Sequence, residues 1–158
     1  MNGFIRKLGV VFLVALGSVQ ISGCSWHTDS RPESRQESSL RLRAADIARE
    51  QIGVPYRYGG RTPRGFDCSG LVHYAYQSVG LTVPRTSKDQ YRAAQPIALR
   101  DARPGDLLFF KGWRSISHVG IYVGGNRFVH APSSGKHVTI TRLDDDYYQK
   151  KLVSVGRL

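Results

Sequence analysis

The stretch Gly65-Phe66-Asp67-Cys68-Ser69-Gly70-Leu71-Val72 decides how this chain folds. It leaves a Gly-rich turn and enters an apolar pattern. Leu71, Val72, Ala75 and Val79 recur at helical spacing, which predicts a helix from about Cys68 to Val79. Asp67 is its natural N-cap and Gly80 its stop. The pattern thus sets a thiol at a helix N-terminus, where unpaired amide N–H groups and the helix dipole favour negative sulfur. That placement predicts a depressed thiol pKa. Asp67 opposes the effect. Its carboxylate is therefore expected to be held by backbone N–H groups or a base, and to point away from the sulfur.

Upstream, Leu40, Ala44, Ile47, Ala48 and Ile52 predict an earlier helix that Gly53 ends. Val54 to Gly65 reads as a Gly/Pro-rich loop. Downstream, Thr86 or Ser87 opens a third helix, with Ser87 and Gln90 at capping-box spacing. After Pro96 the signal changes to strands. Leu107 to Phe110 follows the turn Pro104-Gly105-Asp106. His118, Gly120 and Tyr122 alternate with Val119, Ile121 and Val123, a period of two. Gly124-Gly125-Asn126 turns the chain into Arg127 to His130, and further strands are expected at Val138 to Arg142 and Leu152 to Gly156. Helices first and strands later predict an α+β domain, N-terminal helices packed on a C-terminal antiparallel sheet.

This order brings two imidazoles towards the thiol. Val119 and Ile121 anchor one face of their strand in the core. His118 then shares the other face with Gly120, whose missing side chain leaves room above the strand. If the next strand is a neighbour, His130 lies beside His118 and orients its ring. Nucleophile, base and orienter are the parts of a triad, here Cys68, His118 and His130. Either histidine alone has a plain structural reading; together with Cys68 the catalytic one prevails. His73, inside a helix, and His137, in a loop, read as structural. The three triad residues also suit zinc chemically, but none of them has the tight spacing of a structural zinc site. No metal and no cofactor is expected.

Met1 to Gly23 reads as an export signal, with Arg6 and Lys7 before the apolar run Leu8 to Val19. Ile21-Ser22-Gly23-Cys24 resembles the bacterial lipobox, which makes Cys24 the expected lipidated residue. Residues 24–39 are read as that Cys and a flexible polar tether, and residues 40–158 as the folded domain. With Cys24 lipidated, Cys68 has no partner, and a lone thiol in an oxidising compartment implies a use. The formal charge is +11, of which Arg6 and Lys7 belong to the leader. Export disfavours nucleic acid as the partner. Dispersed arginines fit a solvated surface, with Arg57, Arg61 or Arg85 as candidates for substrate carboxylates and Arg85 equally readable as structural.

The chain resembles the NlpC-type cell-wall cysteine peptidases, a branch of the papain-like superfamily. The motifs are Pro55-Tyr56-Arg57-Tyr58-Gly59-Gly60, Gly65-Phe66-Asp67-Cys68-Ser69-Gly70-Leu71, Pro84-Arg85-Thr86-Ser87 with Gln90, Pro104-Gly105-Asp106-Leu107-Leu108-Phe109-Phe110, Ser117-His118-Val119-Gly120-Ile121-Tyr122 and Phe128-Val129-His130-Ala131. With the lipobox, the layout is most similar to outer-membrane murein endopeptidases of the MepS (Spr) type. The resemblance implies Cys68 as nucleophile, His118 as base, His130 as third member and Tyr56 near the oxyanion. It also implies that Asp67 and Ser69 meet the substrate amine. The expected function is peptidoglycan endopeptidase through a thioester acyl-enzyme, by a monomer anchored to the outer membrane and facing the periplasm. Two alternatives stay open: a non-catalytic peptidoglycan-binding or adaptor lipoprotein using the same groove, and acyl transfer to a non-peptide acceptor.

Overall fold

The computed structural model describes residues 35–133 and 137–158. The expected leader, Cys24 and the tether up to residue 34 lie outside these residues. The first helix, α1, spans Arg35–Glu50. It starts before the expected domain start at Leu40, so Arg35 to Ser39 are helical rather than part of a tether. Polar composition alone misjudged them. A helix nucleated by its packed turns extends at one hydrogen bond per added residue, and Glu37 in the first turn suits the dipole. The inward face is Ala44, Ala45 and Ala48, small enough to let α1 lie close to the next helix. Ile52, expected inward, is 48% exposed because the chain turns away after Glu50.

The loop after α1 holds a small hairpin, β1 (Arg61–Thr62) and β2 (Gly65–Phe66). Helix α2 follows, Cys68–Gln77. Then come α3 (Ser87–Ala93), β3 (Gln95–Ile97), a 3-10 turn (Leu99–Asp101), β4 (Leu107–Lys111) and β5 (Ile116–Gly124). The chain finishes with β6 (Arg127–His130), β7 (Thr139–Arg142), α4 (Asp146–Lys151) and β8 (Leu152–Arg157). The main sheet has six antiparallel strands in the order β3-β8-β4-β5-β6-β7. The fold is α+β, as the order of sequence signals predicts. The edge strand β3 and helix α4 were not foreseen. The strand signal in the sequence begins only after Pro96; a proline lacks the N–H for a central strand, and β3 holds it at an edge of the sheet. The run Asp144-Asp145-Asp146 hid a cap, for Asp145 accepts from the N–H groups of Tyr147 and Tyr148.

Strand alternation builds two cores. Leu107, Phe109, Val119, Ile121, Val123 and Val129 face α1 and α2 and pack with Leu71, Val72, Ala75 and Tyr76. Leu108, Phe110, Phe128, Leu143 and Val155 form the second cluster, against which Tyr148 of α4 packs. The sheet is thus apolar on both faces. A buried ion pair pins its middle: the Arg157 guanidinium meets both carboxylate oxygens of Asp106, at 2.8 and 2.7 Å. Asp106 is 1% exposed and also accepts from the Arg103 N–H at 2.7 Å, so the charge is neutralised and hydrogen-bonded.

Candidate active site

Asp67 caps α2 as expected, its Oδ1 accepting from the Gly70 N–H at 2.6 Å. The same carboxylate accepts from the Gly59 N–H at 2.9 Å and from both Arg85 nitrogens, at 2.9 and 2.7 Å. Arg85 also donates to Ser69 Oγ at 3.0 Å and to the Gly60 carbonyl at 3.2 Å. Gly70 permits this closeness, since a Cβ there would lie 1.9 Å from the Gly60 oxygen. The clamp has two consequences. A carboxylate offers about four acceptor positions, and four N–H donors of this chain already meet Asp67. Arg85 is held in place by four hydrogen bonds, yet its side chain is 31% exposed and lines the Cys68 groove. Ser69 is buried between Arg85 and Asp67 and is hydrogen-bonded to both. The capping role expected of Asp67 is what the geometry carries, and both Asp67 and Ser69 line the groove in which Cys68 stands.

The third helix is capped one residue earlier than the Ser87–Gln90 spacing suggests. Thr86 Oγ1 accepts from the Asp89 N–H at 3.2 Å. Gln90 is released to point inward, where its Nε2 donates to the carbonyls of Ser69 and Pro84, at 3.0 and 2.8 Å. It ties α3 to the first turn of α2.

Cys68 is half-buried in a groove of about 450 Å³, walled by Tyr56, Tyr58, Asp67, Arg85, Ser87 and Ser117 among others. The Val119 N–H is directed at its sulfur, and the N–H groups of Ser69 and Cys68 assist. Burial nevertheless pushes the thiol above its ordinary pKa, and the Asp67 charge adds to the rise. The depressed pKa read from the helix N-terminus is therefore corrected: the amides pull in the expected direction, but desolvation outweighs them. Tyr56 stands in the same groove with its phenol also shifted upward, first by burial and then by Cys68 and Asp67. It stays an O–H donor at neutral pH.

The imidazoles are built differently. In the register of β5 and β6, Ile121 faces Val129. One step further sets His130 opposite Gly120, diagonal to His118. The space above Gly120 is not open, as the sequence suggested. The Phe128 ring fills it, so closely that a Cβ at Gly120 would lie 2.5 Å from Phe128 Cδ2. That ring lies 4.7 Å from the His130 ring and 5.2 Å from Phe110, and Tyr148 closes the wall at 5.0 Å from His130. Inside it, His118 Nε2 and His130 Nδ1 are 2.8 Å apart, and His130 Nε2 lies 2.9 Å from Thr141 Oγ1. Burial lowers His118 to about 4. Burial and then the neighbouring His118 lower His130 to about 3. Both rings are neutral at pH 7.

The structure thus joins His118 to His130 and brings Cys68 to the amide of Val119, the residue after His118. Among the described residues, the His118 ring bonds His130 and not the sulfur. Thiol, amides, phenol and a neutral base occupy adjoining ground, a set suited to acyl transfer.

The sequence profile of the NlpC/P60 family matches residues 53–157, which contain every one of these groups. The chain belongs to the NlpC/P60 family. Its NlpC/P60 region is 46% identical over 115 residues to murein DD-endopeptidase MepH of Escherichia coli K12, covering 69% of this chain and 42% of MepH. It is 38% identical over 136 residues to the γ-D-glutamyl-L-lysine dipeptidyl-peptidase of Bacillus subtilis 168, covering 82% of this chain and 45% of that protein. A solved NLP/P60-family lipoprotein-like structure from Staphylococcus aureus Mu50 superposes with a TM-score of 0.69 at 35% identity, over 82% of this chain and 44% of that one. The chain spans less than half the length of each of these three proteins.

Sequence reasoning missed two parts of the NlpC/P60 site. Thr141 lay in an expected strand, but only the pairing of β6 with β7 reveals that it reaches His130. Tyr148 lay in a stretch with no assigned element. His73 is half-buried on α2, its pKa lowered by burial and by Arg61 and Arg85. His137 is exposed, and its residue bridges to Pro55. Neither joins the site. Among the described residues no three His, Cys, Asp or Glu side chains gather as a metal site would require, and no helix is long and apolar enough to cross a membrane.

Proposed function

We propose that this chain is a cysteine peptidase that hydrolyses amide bonds in peptidoglycan stem peptides or their cross-links. The observation that carries the reading is the relay His118–His130–Thr141 lying beside the thiol groove. The ring contacts admit two all-neutral arrangements. In one, His118 Nε2–H donates to His130 Nδ1 and His130 Nε2–H donates to Thr141 Oγ1. Only this arrangement leaves His118 Nδ1 unprotonated and able to act as a base. His130 and Thr141 thereby fix the tautomer.

With thiol and imidazole both neutral at rest, proton transfer accompanies attack. Cys68 Sγ gives its proton to His118 as it bonds the scissile carbonyl carbon. The Cys68 N–H and the Tyr56 O–H receive the oxyanion. Collapse breaks the C–N bond, and His118 passes its proton to the departing amine. Water, activated by His118, then releases the acyl group from the thioester. The name of MepH supports a murein substrate and the D-alanyl–diaminopimelate cross-link, whereas that of the Bacillus subtilis dipeptidyl-peptidase supports the γ-D-glutamyl bond; the higher identity to MepH favours the cross-link. The proposed setting is a monomer tethered through a lipidated Cys24 to the outer membrane, facing the periplasm.

The test is digestion of defined muropeptides, cross-linked and single, by the full chain, with products weighed by mass spectrometry. Conversion of linked dimers to monomers, lost in Cys68→Ala, is the expected result. Intact substrates, or cleavage that survives Cys68→Ala, would overturn the reading.

A further inference from the structure

Ser117 stands in the wall of two hollows. One is the Cys68 groove. The other, of about 150 Å³, is bounded by Lys111, His118, Ser133, Tyr148 and Lys151 among others. No Asp or Glu lines it. Among the described residues, neither lysine pairs with a carboxylate. Lys151 Nζ instead lies 5.0 Å from the Tyr147 ring centroid, a weak partner for an ammonium group. Two ammonium groups without acids, beside hydroxyl donors, make this hollow a receptor for an anion.

Its position says which anion. Amide hydrolysis requires the departing amine to be protonated, and His118 is the acid. The fragment that carries this amine must therefore begin at His118, and His118 lines this hollow while Ser117 joins it to the Cys68 groove. At about 150 Å³ it is the smaller of the two hollows. A carboxylate on a short stem fits it.

We propose that Lys111 and Lys151 form a carboxylate subsite for the residue that supplies the leaving amine. The proposal rests on the endopeptidase reading above. It makes the site favour a leaving residue with a free side-chain carboxylate, as in diaminopimelate, over lysine, which has the same chain without it. The groove around Cys68 then holds the acyl half of the substrate, and Ser117 marks the boundary.

The experiment uses the full chain and two peptides that differ only in diaminopimelate or lysine at the leaving position. Wild type is expected to cleave the diaminopimelate peptide with a kcat/KM higher by about tenfold or more, since a charge-assisted contact is at stake. In Lys111→Gln/Lys151→Gln the preference should shrink to near parity, mostly through KM. Lys151→Glu should reverse it. Equal rates in wild type, or a preference unchanged in both variants, would overturn the subsite. Binding of the same two peptides to the full-length Cys68→Ala chain, followed by calorimetry, separates this failure from that of the parent reading. A diaminopimelate preference in binding that vanishes on adding the two Gln substitutions supports the subsite even if wild type cleaves neither peptide. Equal binding of the two peptides refutes it.

Discussion

Asp67 accepts from four N–H donors, two of them on an arginine, at the edge of a groove open to solvent. His130, which orients the proposed base, is 1% exposed behind aromatic rings and touches one imidazole and one hydroxyl. The first support works through charge, the second through exclusion of water. Charge locks the helix start and moves its neighbour's protonation only secondarily, since burial raises the Cys68 thiol more than the Asp67 carboxylate does. Exclusion of water sets protonation directly: it keeps both rings neutral and raises the thiol. The nucleophile's half of the site is held by electrostatics, and the base's half is tuned by a low dielectric.

The largest break should come where the halves meet. His118→Ala is expected to lower kcat by about 10⁴-fold, as removal of a catalytic base does. Steady-state assays that found near-normal turnover would exclude His118 from the role. Next is the charged half. Arg85→Met leaves a mostly buried carboxylate facing two backbone N–H groups and the Ser69 hydroxyl and should cost about 3 kcal/mol of stability. Urea unfolding measures it, and adding Asp67→Asn should recover part of the loss. No recovery would mean that the pair is not the unit described.

The aromatic half is sharpened by pH. Both rings have folded pKa values, about 4 and about 3, below the unfolded value near 6.5. The unfolded chain therefore takes up protons that the folded chain refuses. Stability is complete above pH 6.5 and should fall as pH drops towards 5, by roughly 1.4 kcal/mol per pH unit for each ring. His130→Asn should halve that slope. A flat profile in wild type would show that the rings are not shielded as described. The smallest effect is expected at Thr141→Val, which removes the hydroxyl and keeps the shape. About fivefold lower kcat with KM unchanged, and rescue by Thr141→Ser, would mark a positioning role; KM moving instead would argue for a structural one.

The difference between the halves also decides how much was legible in the chain. Asp67, Cys68 and the helix they open are local events within a few residues, and the sequence states them directly. The clamp by Arg85 crosses eighteen residues, so Arg85 stayed ambiguous between substrate contact and structure. His118 and His130 were readable because one tight turn links their strands and alternation fixes their face. Thr141 and Tyr148 were not, since strand register and the seating of α4 are long-range outcomes. The thiol's pKa was misjudged for the same reason: a helix N-terminus is visible in sequence, whereas the burial that outweighs it is a property of the packed whole.

Thr141 sits on β7, the outermost strand of the sheet, paired only with β6 among the described residues. Edge strands open more readily than central ones. An opening confined to β7 would free the Thr141 hydroxyl from His130 while leaving the buried core intact. Hydrogen exchange at the β7 amides would then report a clock for switching the base between its two proton arrangements, independent of global unfolding.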